Sequence, residues 1–303
     1  MTAADIQKQL DTLPKSALTG KPVLHFAHAN GIPTPCYQPL FDELSPYFTI
    51  VTVDGLGMHP NYPVDNHWQS LTRQIIDSID DTCREHGISS LIALGHSLGA
   101  TTTLQALNSN PKFISQAVLF DPALLTAKHS LAFHCAKIIE KGINKSLGRL
   151  PKFHDFHDLT DKMSPARQSK RRKDTFDSHQ DAYQALKNKA LFAKFHPQSF
   201  ANYIQYGFEL TADGKVRLSI PKAVETAVFR TIPSLYWLKS LTSNKPATII
   251  AGDDSYFTKI GSYQNAQEKF AATVKYVHGS HMFPLEYPER VANDVLDVII
   301  KNI

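Results

Sequence analysis

The sequence predicts an α/β fold: a doubly wound, mostly parallel sheet with helices on both faces and an inserted helical subdomain. Three observations lead to it. Short runs rich in Val, Ile, Leu and Ala alternate with segments of helical spacing at both ends of the 303-residue chain, the pattern of strands buried on both faces and joined by helices. Between 123 and 245 that alternation stops and helical segments take over. One apolar run, at 91–95, passes through Gly95-His96-Ser97-Leu98-Gly99 straight into a helical segment, which demands a sharp strand-to-helix turn with a serine at its apex.

The elements follow in order. Residues 1–18 suit a short helix ending in loop at Thr19-Gly20, and 22–28 form the first strand, broken by Asn30-Gly31-Ile32-Pro33. A short helix over 37–44 closes at Ser45-Pro46. Residues 48–53 alternate Ile and Val with Thr as a second strand ending at Asp54-Gly55-Leu56-Gly57. Trp68, Leu71, Ile75 and Ile79 recur at helical spacing up to His86-Gly87. The strand at 91–95, the serine turn and a helix over 100–107 come next, then a strand over 116–120 stopped by Asp121-Pro122. In the insert, helical segments fall around 129–147, 182–195, 197–206 and 223–231, with an Asp213-Gly214 turn before 215–218. The alternation resumes with a strand over 247–251 ending in Gly252-Asp253-Asp254, a helix over 262–270 and a strand over 273–277 ending in His278-Gly279-Ser280-His281. A last helix carries Val291, Val295, Val298 and Ile299 on one face. The expected division is a core of 1–122 and 246–303 and a helical insert of 123–245.

Composition narrows the partners. Hydrophobic residues make up 42% and charged residues 20%, ordinary for a globular chain. A net charge of +4 is too mild for the basic stripe that nucleic acid demands. No apolar run reaches transmembrane length, and the N-terminus lacks the apolar stretch of a signal peptide. Cys36, Cys83 and Cys135 are far apart with no Cys-x-x-Cys pair, so reduced thiols in a cytoplasmic compartment are expected rather than disulfides or zinc. The expected partner is a small-molecule substrate, with no nucleic acid, no membrane, no metal and no cofactor.

In parallel sheets functional groups gather past the carboxyl ends of strands. Asn30, Asp54, Ser97, Asp121, Asp253 and His281 all stand there. With these residues assembled, the chain resembles an α/β-hydrolase over nearly its whole length outside the insert and the first twenty residues. Four matches carry the resemblance: Asn30-Gly31-Ile32-Pro33 after the first strand, the Gly95–Gly99 pentad, the acidic strand ends, and Gly279-Ser280-His281 followed by Pro284 and Pro288-Glu289. The order serine, acid, histidine agrees, and the insert falls where this family places a helical cap. In one respect the chain departs: relatives often carry the triad acid a few residues after the glycine of the penultimate strand, and here Ser255 and Tyr256 stand at those positions.

The resemblance implies Ser97 as nucleophile and His281 as general base and acid, with His278 the next choice. The orienting carboxylate is Asp253, alternatively Asp121, then Asp254. Leu98 N–H supplies one oxyanion donor, and the loop after the first strand supplies the second from Ile32 or Gly31. His96 reads as a packing residue of the turn and His28 as a pin for the oxyanion loop. Serine at the turn argues against the dehalogenases and epoxide hydrolases of this superfamily, which use aspartate there. The expected activity is cleavage of an ester or related acyl bond of a small, apolar substrate. The alternatives are a lyase or acyltransferase using the same triad, or a non-catalytic binding protein.

Other patterns are weaker. His154 and His157 have metal-ligand spacing but no further defined ligands. Lys170-Arg171-Arg172-Lys173 reads as a solvated helix face. Most of the insert's aromatics, from Phe133 to Trp237, pack its helices together, and some are candidates to line an acyl pocket.

Overall fold

A computed structural model of the chain describes residues 3–53, 55–148, 155–235, 243–264 and 266–303. Its first elements are α1 (Ala3–Leu10), β1 (Val23–Ala27), α2 (Gln38–Leu44), β2 (Thr49–Val53), α3 (Gln69–His86), β3 (Leu91–His96), α4 (Leu98–Ser109) and β4 (Ile114–Phe120). The insertion holds α5 (Ala127–Leu147), α6 (Asp158–Met163), α7 (Ala166–Arg171), β5 (Thr175–Phe176), α8 (His179–Leu186), α9 (Pro197–Tyr206), β6 (Phe208–Leu210), β7 (Val216–Leu218) and α10 (Lys222–Arg230). The chain returns through β8 (Ala247–Gly252), α11 (Tyr256–Lys259), α12 (Ala266–Phe270), β9 (Ala272–Val277), α13 (Phe283–Glu286) and α14 (Pro288–Lys301).

Six strands pair in parallel in the order β2-β1-β3-β4-β8-β9. Side-chain alternation sends each strand's residues to two cores. Leu24, Phe26, Ile92, Leu94, Val118 and Phe120 pack with α2 and α14 on one face. Ala27, Ala93, Leu119 and Ile249 pack with α3 and α4 on the other. The order reverses at β1, with β2 on one side and β3 on the other. Such a switch point opens a crevice at the carboxyl ends of the two diverging strands, where α/β sheets bind ligands.

The insertion, expected to be mostly helical, adds strands to its helices. It contains a three-stranded antiparallel sheet in the order β5-β7-β6, whose hairpin turns at Asp213-Gly214. Strands of two and three residues are too short for a period to show. They form because Phe176 and Phe208 meet edge to face, with centroids 5.5 Å apart, in the buried cluster. The helix expected over 182–195 stops at Leu186. Beyond it the chain makes successive turns that fold Phe192 against Phe195, Phe200 and Tyr203. The helix expected over 262–270 is confined to α12; Gly261, at φ 77°, sits in the turn between α11 and α12. No helix among the described residues is long and apolar enough to cross a membrane.

Candidate active site

Ser97 is built by its neighbours. It sits between β3 and α4 with φ 53° and ψ −106°, a conformation that costs about 1–3 kcal/mol and persists only where its surroundings enforce it. Two glycines make room. A Cβ on Gly95 would lie 2.6 Å from the Ala100 nitrogen, and one on Gly99 would lie 2.1 Å from the Ala27 carbonyl oxygen. Backbone bonds complete the turn: Ser97 N–H donates to Phe120 O (2.9 Å) and Gly99 N–H to His28 O (3.2 Å). The serine therefore stands at the N-terminal, partly positive end of a twelve-residue helix.

The sheet delivers the other two groups. Because β3 and β4 are neighbours, with His96 opposite Phe120, the residues just past them, Ser97 and Asp121, end side by side. Asp121 is fully buried, takes φ 43°, and donates its N–H to Ile250 O (2.9 Å). Its carboxylate accepts from Gly252 N–H on Oδ1 (3.3 Å) and, on Oδ2, from the Ser255 hydroxyl and from His281 Nδ1 at 2.5 Å. A carboxylate only accepts, so His281 carries its proton on Nδ1 and leaves Nε2 bare. That nitrogen lies 2.8 Å from Ser97 Oγ. The result is an unbroken hydroxyl–imidazole–carboxylate chain. It can draw a proton from Ser97 while holding the imidazole in the tautomer that general-base work needs.

The carboxylate beside His281 is thus Asp121, and the first-ranked acid, Asp253, is placed elsewhere. Asp253 Oδ1 accepts from Gly279 N–H (3.0 Å) and Oδ2 lies 3.4 Å from His278 Nδ1. The Gly279 N–H, foremost, and then His278 hold its carboxyl below the usual range. Asp254 pairs with Lys259 (2.6 Å) and Lys194 (3.5 Å) at the surface. The cause is strand order: Asp253 follows β8, two strands from β3, and its carboxyl folds back over the next loop, whereas Asp121 follows β4, one strand away. His278, the second-choice base, belongs to that exposed pair.

The loop carrying His281 and the loop after β1 are tied together underneath. His96, fully buried, has Nε2 2.8 Å from the His281 carbonyl oxygen and Nδ1 2.7 Å from the Tyr37 hydroxyl. The carbonyl only accepts, so Nε2 bears the proton and Nδ1 takes the tyrosine's. Tyr37 oxygen in turn accepts from Ala29 N–H (3.2 Å). Burial, then the neighbouring His281, pushes the His96 imidazole down to about 3, so it remains neutral. On the far side, Glu286 accepts from Ser280 N–H (3.0 Å) and its hydroxyl (2.5 Å). His28 does pin the loop: Nδ1 donates to Ala29 O (2.8 Å) and Nε2 accepts from Leu56 N–H (3.1 Å).

Of the expected oxyanion donors, Leu98 opens α4, where the first N–H groups have no partner within the helix. Ile32 N–H closes a turn on Ala29 O (3.2 Å), whereas among the described residues Gly31 N–H makes no backbone–backbone hydrogen bond. Three features escaped the sequence: the Ser255 hydroxyl on Asp121, the Glu286 clamp and the Tyr37 link. None has a period or motif, and in the sequence Ser255 stands out only for occupying a position where an acid is expected. Asp54, His154, Tyr236 and Trp237 lie outside the described residues, and His157 Nδ1 is 3.7 Å from Glu140. In the basic run, Lys170, Arg171 and Lys173 are exposed as expected, but Arg172 is turned inward onto Glu225.

A sequence profile of the alpha/beta hydrolase family matches residues 26–295. The chain belongs to that family. None of the curated proteins compared with it matches. Solved structures do. E-2-(acetamidomethylene)succinate hydrolase is 18% identical with a TM-score of 0.66, over 94% of this chain and 93% of that one. A peroxisomal alpha-beta-hydrolase of Saccharomyces cerevisiae is 14% identical with a TM-score of 0.65, over 93% and 78%. The thioesterase domain from the curacin biosynthetic pathway is 15% identical with a TM-score of 0.63, over 91% of each chain. At these identities the likeness is one of fold. The fold and family together support a hydrolase.

Proposed function

We propose that this alpha/beta hydrolase cleaves an ester or related acyl bond of a small, apolar substrate through a Ser97–His281–Asp121 triad. The carrying observation is the continuous chain of contacts, 2.8 Å from Ser97 Oγ to His281 Nε2 and 2.5 Å from His281 Nδ1 to Asp121. Ser97 attacks the acyl carbonyl as His281 takes its proton. Leu98 N–H and a donor of the 31–32 loop receive the oxyanion. The protonated His281, steadied by Asp121, returns its proton to the leaving group, and water then releases the acyl-enzyme by the reverse sequence. Residues 123–245 act as a cap over the site.

Several features favour this reading. Of the solved structures of similar fold, one is named a hydrolase of E-2-(acetamidomethylene)succinate and another a thioesterase domain. An open, mostly apolar recess of about 380 Å3, with Met58, His59, Val64 and Val224 in its lining, lies between the loop after β2 and α10. Cys36, Cys83 and Cys135 are free thiols, consistent with a cytoplasmic protein. Turnover of a panel of short-chain nitrophenyl esters and thioesters tests the proposal. We expect burst-phase hydrolysis by the wild type and none by Ser97→Ala. Elimination or acyl transfer without hydrolysis would instead support a lyase or transferase.

A further inference from the structure

Three elements of the insertion converge on the loop after β1. Arg172, just past α7, donates from one guanidinium nitrogen to Glu225 Oε2 (2.7 Å) on α10 and from the other to the Tyr203 hydroxyl (2.7 Å) on α9. Glu225 is buried, and its carboxyl lies against Gly31: a Cβ built on Gly31 would sit 3.1 Å from Glu225 Cδ and 3.2 Å from Oε2. Asn30 Nδ2 donates to the Glu225 carbonyl (3.1 Å), and Asn202 Nδ2 on α9 donates to Pro35 O (2.8 Å).

A carboxylate therefore rests on the loop beside which, in the reaction proposed above, negative charge develops. Like charges in a dry site repel strongly, so an unpaired Glu225 would raise the barrier. Arg172 is the cation against it. Burial works against the guanidinium's charge, but Tyr203 and Glu225 outweigh burial and hold Arg172 above its usual range. The nearby cations Arg230 and Lys222 are taken by Asp161 and Asp174.

We infer that Arg172 is a positioning residue for the reaction: acting through Glu225, it cancels the charge beside the oxyanion loop, so that the insertion tunes the reactivity of Ser97. The inference rests on the proposed function. Both are read in one experiment, the second-order rate of Ser97 phosphonylation by a fluorophosphonate, with folding checked by circular dichroism. Arg172→Met slows phosphonylation about 30-fold, and adding Glu225→Gln restores it to within about threefold of wild type. Arg172→Lys, which keeps a cation beside Glu225, stays within about fivefold of wild type. Equal slowing in Arg172→Met and the double variant, or no slowing in either, overturns the inference while leaving the nucleophile intact. Should Arg172→Met not fold, an Arg172→Lys rate as low as about 30-fold below wild type overturns it instead. A wild type that resists labelling overturns the functional reading and the inference with it.

Discussion

Asp121 and Asp253 are the same side chain just past neighbouring strands, and strand order gives them different partners and different burial. The first is buried on His281, the Ser255 hydroxyl and Gly252 N–H; the second is exposed on Gly279 N–H and His278. Removing the charge that orients a triad imidazole can cost about 10⁴-fold in rate. Asp121→Asn is expected to lower kcat by that order, and Asp253→Asn by less than about threefold, in steady-state ester hydrolysis. Buried histidines supply a second residue-scale effect. Burial pushes His25 down to about 4 and, with His281, His96 to about 3, from an ordinary value of 6.5. Below pH 6.5 the unfolded chain binds protons that the folded chain refuses. Their stabilising contribution is therefore whole above about pH 6.5 and is lost progressively as pH falls toward 4 and 3. Urea midpoints measured against pH should fall across that window, and His25→Leu should flatten the slope.

At the scale of elements, the strand–turn–helix around Ser97 was legible because its chemistry is local. Gly95 and Gly99 flank a backbone crossing that admits no Cβ, and a local steric demand leaves a local mark in sequence. Gly99→Ala forces an atom to 2.1 Å from the Ala27 carbonyl. It should lower Tm and abolish activity together, since the turn and the β1 loop must part. Gly142, exposed in α5 with nothing within 4 Å of an added Cβ, is the contrasting case. Gly142→Ala should stabilise by about 0.5–1 kcal/mol through helix propensity alone, read as a raised urea midpoint. The short strands β5, β6 and β7 and the inward turn of Arg172 were not legible. They depend on contacts between segments dozens of residues apart, such as Phe176 with Phe208 and Arg172 with Glu225.

At the scale of the whole molecule, the parallel sheet and the edge on which the site gathers could be read from the spacing of strands, because alternation and strand-end residues encode them. The choice among three strand-end carboxylates could not. It turns on which strands lie side by side, and β4 next to β3 is a fact of topology. The insertion is also joined to the sheet more closely than its place in the sequence suggests. Phe176, Tyr203 and Phe208 share a buried cluster with Leu24 and Phe26 of β1, while Phe133 and Val228 share the other with Trp68 and Leu98. Trp68 Nε1 donates to Val228 O (3.0 Å) across the junction. Shared cores should unfold together, so calorimetry is expected to show one cooperative transition; two resolved peaks would mean that the insertion stands apart. The account as a whole stands on Ser97 being a nucleophile activated by His281. Intact-protein mass spectrometry with peptide mapping after fluorophosphonate treatment reads this most directly. One adduct per chain, mapped to Ser97 and absent from Ser97→Ala, is the result expected; a folded wild type without an adduct, or one whose adduct survives in Ser97→Ala, would contradict it.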